Sequence, residues 1–179
     1  MLGLHQVANA LFAIAVSEEL GLGRPAARDG LAECPPPKMR LQLWESGGVR
    51  VLDDAYNANA DSALAALETL CDLPLQGRRV AVLGDMNELG AHSEAAHAEV
   101  GRQAAKLGVG QLFAVGKMAA VTARAARDAG LTRVMEFADV EAAIKVVKGF
   151  LKPGDVVLLK ASRAARLERI AATLKSEKS

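Results

Sequence analysis

Two carboxylates, a phenol and two carboxamides fall within seven residues, Asp53-Asp54-Ala55-Tyr56-Asn57-Ala58-Asn59. Such a mixture suits hydrogen bonding to a small polar ligand rather than packing in a core. It comes after Val49, Val51 and Leu52, a short run of strand-forming residues, and precedes Ala63-Leu64-Ala65-Ala66-Leu67, which reads as a helix. Asn59 or Asp61 can cap that helix. The polar loop therefore lies between the carboxyl end of a strand and the amino end of a helix, the edge at which open α/β sheets bind ligands.

The remaining pattern supplies the elements that must position this loop. Residues 40–44 alternate and are joined through Glu45-Ser46-Gly47-Gly48 to residues 49–53, which predicts a β-hairpin. Helices are then expected near 61–71, 93–107, 117–129, 139–150 and 164–174, alternating with strands at 80–83, 112–115, 133–137 and 156–160. Strand and helix in alternation imply right-handed crossovers and a mainly parallel sheet with helices on both faces. In such a sheet one edge collects the loops that leave the strands at their carboxyl ends. Those loops include Gly84-Asp85-Met86-Asn87-Glu88, Gly116-Lys117, Ala138-Asp139 and Lys160-Ala161-Ser162-Arg163, whereas the opposite turns carry little beyond turn residues. Asp53 and Asp54 are neighbours on a strand and point to opposite faces, so only one can serve a given ligand.

Ahead of the hairpin, residues 5–20 form an alanine-rich amphipathic helix stopped by Gly21 and Gly23, and Pro25 opens a weaker second helix. Pro35-Pro36-Pro37 is a stiff connector, which sets an expected division into residues 1–37 and 38–179.

Composition narrows the function. At 179 residues and 51% hydrophobic content the chain can bury a sizeable core. A net charge of +1 and 3% aromatic residues give no nucleic-acid face. Cys34 and Cys71 lie far apart without a CxxC pair, which argues against a disulfide framework or a zinc site and for a reducing cytoplasm. The apolar run from Val7 to Val16 is too short for a membrane span and lacks a basic leader. Residues 110–117 imitate a phosphate-binding loop, but the spacing is five rather than four and Met118 replaces the hydroxyl residue. Gly21-Leu22-Gly23 comes after a helix and reads as a helix stop, and no GxGxxG follows a strand, which disfavours an NAD-dependent oxidoreductase. His92 and His97 are too far apart to share a helix face as a metal pair, and His97 is expected on the helix flank.

Five segments taken together resemble a known family. The series His5-Gln6-Val7-Ala8-Asn9-Ala10-Leu11, Arg40, Asp53 to Asn59, Leu83-Gly84-Asp85-Met86-Asn87-Glu88-Leu89-Gly90 and Lys160-Ala161-Ser162-Arg163 resembles the second half of a Mur ligase. Within that family it is most similar to the type that adds D-Ala-D-Ala to UDP-MurNAc-tripeptide in peptidoglycan precursor synthesis. The resemblance implies the last helices of a central ATPase domain followed by a complete Rossmann-like ligase domain. It also implies ATP and Mg2+ as cofactors, with the metal ligands and the phosphate loop having no counterpart in these residues, so that no catalytic residue is expected here.

By the same resemblance Asn9 would lie near the adenine, Arg40 on ATP phosphate, Asp53 on the ribose hydroxyls, and Tyr56 and Asn57 beside the nucleotide. Lys160, Ser162 and Arg163 would receive the incoming dipeptide, with Asp85, Asn87 and Glu88 shaping the same pocket or capping a helix. Ala161 stands where the family has Gly, which is expected to cost the loop backbone freedom. The first helix would lack its packing partner, leaving Leu11, Phe12 and Ile14 partly uncovered and favouring weak self-association. A binding module without chemistry is the competing reading.

Overall fold

In this computed structural model, residue 3, residues 5–35 and residues 37–176 are described. Pro36 of the proline connector and the last three residues of the expected frayed tail lie outside them. Two helices lead the chain, α1 (His5–Glu19) and α2 (Arg24–Glu33), with Pro25 in the first turn of α2. They pack on each other. Leu11 and Phe12 remain 60% and 74% exposed, while Ile14 is half-buried against α2.

The hairpin comes next as β1 (Gln42–Ser46) and β2 (Val49–Asp54). Gly47 and Gly48, at φ 56° and 75°, form its two-residue turn. Left-handed backbone at both positions matches the twist of the strands, and glycine adopts it without steric cost. The alternation then runs α3 (Ala60–Asp72), β3 (Arg79–Gly84), α4 (Ser93–Lys106), β4 (Gln111–Val115), α5 (Ala119–Asp128), β5 (Val134–Phe137), α6 (Val140–Phe150), β6 (Val156–Lys160) and α7 (Glu168–Lys175). The expected α/β architecture is present, with short 3-10 turns at residues 90–92 and 163–165 preceding α4 and α7.

Among the described residues the sheet order is β1-β2-β6-β3-β4-β5, antiparallel only between β1 and β2. Helices α3, α4 and α5 return the chain toward the β5 edge and cover one face. There Leu52, Ala81, Leu83, Leu112 and Leu158 meet Leu67, Leu70 and Val100. The connection through α6 runs back to insert β6 between β2 and β3, so α6 and α7 cover the other face, over Val51, Val82, Phe113 and Leu159. Phe113 is fully buried and meets Phe150 edge-on at 5.3 Å. Burying such a ring contributes about 2–3 kcal/mol.

The register makes the carboxyl edge nearly flush: Asp54 pairs with Lys160, Lys160 with Leu83, Gly84 with Val115, and Val115 with Phe137. All five parallel strands thus deliver their outgoing loops to one rim. At the opposite edge Asp155, 2% exposed, accepts from the backbone N–H groups of Arg78 and Lys152 and pairs with the Arg78 guanidinium at 2.6 Å. Burial alone would raise its carboxyl pKa, yet Arg78 and these N–H groups hold it below the usual carboxylate value.

Candidate functional site

The loop after β2 is held by three local devices. Asn59 caps α3, its Oδ1 accepting the Ser62 N–H at 2.8 Å while Ser62 Oγ accepts the Asn59 N–H at 3.1 Å. This reciprocal box satisfies two donors that a helix start would leave unpaired. The Tyr56 N–H donates to the Met39 carbonyl at 3.1 Å, tying the loop to the segment before β1. Lys160 Nζ donates to the Asn57 carbonyl at 2.6 Å.

Lys160 is 3% exposed and sits 2.7 Å from Asp54 Oδ2. Burial pushes its pKa below the usual lysine value, and Asp54 opposes that push. The other Asp54 oxygen accepts the Leu41 N–H at 3.0 Å. One carboxylate therefore anchors both the start of β1 and the end of β6. Asp53, expected on the ligand side, faces away from this rim. It lies 2% exposed on the α7 face, near Trp44 and Lys175, with one carboxylate oxygen unpartnered. Burial raises its pKa, against the Ala55 N–H and Lys175, which favour the charged form. Strand parity explains the sorting: Asp54 shares a face with Leu52, and Asp53 with Val51.

Arg40 is bracketed by two residues in left-handed backbone, Met39 at φ 60° and Leu41 at φ 48°. Such positions are costly without glycine and persist only where surrounding bonds fix them. Here the Met39 carbonyl and the Leu41 N–H supply those bonds. The Arg40 guanidinium comes to 4.5 Å from the Tyr56 ring centre, and that of Arg163 to 5.6 Å.

The loop after β3 is clamped from several sides. Asp85 accepts the N–H groups of Lys117 and Met118, each at 2.9 Å, and so fixes the turn before α5 rather than capping the next helix in the chain. The Met86 N–H donates to His97 Nε2 at 2.9 Å, and Ser162 Oγ accepts the Asn87 N–H at 2.9 Å. His97 Nδ1 lies 2.7 Å from the Ser93 carbonyl. A carbonyl can only accept, so Nδ1 carries the proton and Nε2 the lone pair. His97 is 2% exposed, not on the helix flank. Its spacing to Val100 and Ala104, three and seven residues on, is the inward stripe of α4 and was the signal available in the sequence. Ser93 lies inside α4, whose N-cap position is His92. Asn87 and Glu88 are exposed at the loop tip, Glu88 at φ 63°.

Gly84 ends β3 where a side chain could not fit, because a Cβ there would lie 2.7 Å from the Cβ of Ala161. Ala161 is fully buried and outside the left-handed region, so its methyl costs the loop no strain here. The structure thus gathers Arg40, Asp54, Tyr56, Asn57, Lys160, Ser162 and Arg163 in one linked group, with Asp85 and Asn87 bonded to its edge. Asn9 stands apart, exposed on α1 and bonded to Gln6 at 2.9 Å. Among the described residues no group of three or more His, Cys, Asp or Glu side chains could hold a metal ion, and no helix is long and apolar enough to cross a membrane.

A mainly parallel sheet flanked by helices, whose carboxyl rim presents two guanidiniums and an aromatic ring, defines a Rossmann-like α/β domain. Residues 39–163 match the family model described as the glutamate ligase domain of Mur ligases, and the chain belongs to that family. It is 40% identical over 193 residues to the UDP-N-acetylmuramoyl-tripeptide–D-alanyl-D-alanine ligase of Mycobacterium tuberculosis, covering 96% of this chain and 38% of that protein. The crystal structure of MurF from Acinetobacter baumannii superposes with a TM-score of 0.85 at 31% identity, over 98% of this chain and 38% of that one. A MurF ligase from Thermotoga maritima in complex with ADP superposes with a TM-score of 0.72 at 29% identity, over 92% and 36%. The chain therefore spans under two fifths of the length of these relatives.

Proposed function

We propose that this chain is the carboxyl-terminal part of an ATP-dependent ligase that joins D-Ala-D-Ala to UDP-MurNAc-tripeptide in the cytoplasm. The similarity to D-Ala-D-Ala-adding ligases across 96% of the chain carries this reading. In the proposed reaction the peptide carboxylate attacks the γ-phosphorus of ATP, releasing ADP and forming an acyl phosphate. The dipeptide amine then attacks the acyl carbon, releasing inorganic phosphate and a proton. Such chemistry is accelerated by positioning and charge stabilisation.

The rim fits a nucleotide. Arg40 offers a planar fork to phosphate oxygens, and Tyr56 and Asn57 flank the base or sugar. Asp54, on the rim face, takes the ribose role expected of Asp53 through the lone pairs left open beside its bonds to Lys160 and the Leu41 N–H. Asn9 reaches the adenine only if α1 closes over it. The loops of Ser162 and of Asp85, Asn87 and Glu88 border the incoming dipeptide, and Lys160, spent on Asp54 and Asn57, holds the rim rather than the substrate. Mg2+ accompanies the nucleotide and is held outside these residues. Residues 1–37 belong to the preceding domain, and the exposed stripe of α1 gives the isolated chain weak self-association.

The test is binding and turnover with this chain. ATP should bind with a dissociation constant of about 1 mM or weaker, and no phosphate should be released with ATP, UDP-MurNAc-tripeptide and D-Ala-D-Ala until the amino-terminal portion of a relative is supplied. Failure of ATP to perturb Tyr56, or activity of the chain alone, would overturn the assignment.

A further inference from the structure

Arg40 and Arg163 come from opposite ends of the site, one ahead of β1 and the other after β6, yet both guanidiniums lie over the same ring, that of Tyr56. Among the described residues neither has a carboxylate partner within ion-pair distance. Asp54, on the same rim, is engaged by Lys160 and the Leu41 N–H. With the two guanidiniums 4.5 and 5.6 Å from one ring centre, neither neutralised by a carboxylate, a bound polyanion would meet both positive charges and relieve the repulsion between them.

The backbones beneath them are fixed, while the guanidiniums lie over the Tyr56 ring. Arg40 is set by the left-handed residues on either side, tied to Tyr56 N–H and Asp54. Arg163 comes directly after Ser162, whose N–H donates to the Asp85 carbonyl at 2.9 Å and whose Oγ holds Asn87. Tyr56, 41% exposed, holds both cations within 5.6 Å of its ring centre.

We propose that Arg40 and Arg163 form a two-arginine clamp, spaced by Tyr56, for a single polyphosphate-bearing ligand. The clamp rests on the nucleotide reading of the rim and deepens it: Arg163 serves the phosphates rather than the dipeptide carboxylate, and Tyr56 is a positioning residue. Placed between the strand ends that bring nucleotide and dipeptide together, the pair would also face the charge that develops as phosphate is transferred.

The experiment is a titration of this chain with inorganic tripolyphosphate, monitored by NMR of the arginine Nε–H groups. Both Arg40 and Arg163 should shift with one midpoint. Arg163→Gln should weaken binding by about tenfold, the scale of one charge-assisted hydrogen bond, with Arg163→Lys between the two because it keeps the charge and loses the fork. Tyr56→Leu should make the effects of Arg40→Gln and Arg163→Gln independent, whereas in the parent they are coupled. Backbone spectra of each variant check that it folds. The clamp is overturned if tripolyphosphate moves Arg40 alone, or if Arg163→Gln weakens D-Ala-D-Ala binding and leaves tripolyphosphate untouched. If tripolyphosphate engages both arginines but ADP does not compete, the clamp stands and the nucleotide reading falls. If ADP binds without Arg163, the reverse holds.

Discussion

Lys160 and Asp54 stand directly opposite each other on neighbouring parallel strands, ammonium to carboxylate at 2.7 Å, with the lysine 3% exposed. The pair closes the rim where β2 and β6 end. Its value lies in what it holds, namely the Asn57 carbonyl and the Leu41 N–H.

Replacing Lys160 by Met removes the cation and leaves Asp54 partly buried without its partner, while the Asn57 carbonyl loses its donor. The expected loss is about 3 kcal/mol of unfolding free energy, read from urea denaturation. The combined Lys160→Met, Asp54→Leu chain should recover part of it, because an apolar pair avoids the unmatched charge.

Asp53 and Asp54 should behave oppositely. The Asp53 carboxyl is raised by burial above its ordinary 3.8, so the folded state holds the proton more tightly than the unfolded one. Its stabilising contribution is complete below that ordinary value and is lost as pH rises through the folded-state value. Asp53→Asn should therefore raise stability at pH 7, with the gain vanishing in acid, and should leave nucleotide binding unchanged. Asp54→Asn should weaken ADP binding. Thermal melts across pH, paired with ADP titrations, separate the two; weaker ADP binding in Asp53→Asn alone would return the ribose role to Asp53.

His97→Leu keeps the bulk of the side chain but strips the acceptor from the Met86 N–H. A buried amide without a partner costs about 1–3 kcal/mol, and amide exchange at Met86 and Asn87 should quicken well beyond the change in global stability. His97→Gln, which offers an acceptor oxygen, should restore part of the protection.

Much of this domain is written locally. The hairpin is carried by its Gly47-Gly48 turn, the start of α3 by a capping residue at Asn59 or Asp61, between which the structure chooses Asn59, and the crossovers by strands such as Val156-Val157-Leu158-Leu159, fully buried and flanked by amphipathic helices. Each depends on backbone preference or on periodicity within a few residues, so each was legible before any long-range contact was known. Parallel strands then had to deliver Asp54, Gly84 and Lys160 to the same edge.

Which side chain faces that edge was another matter. The sequence alone determined that Asp53 and Asp54 point apart; only the packing of α3 on one face and α7 on the other decided that Asp54 meets Lys160 while Asp53 turns toward Trp44. It placed Arg40 at the head of a strand, where the structure starts β1 only at Gln42, and Arg163 on a loop, but their meeting over Tyr56 depends on residues more than a hundred positions apart. Local rules act along the chain, whereas pairing of charges and burial of polar groups depend on distances through space, and those exist only once the sheet has ordered its strands.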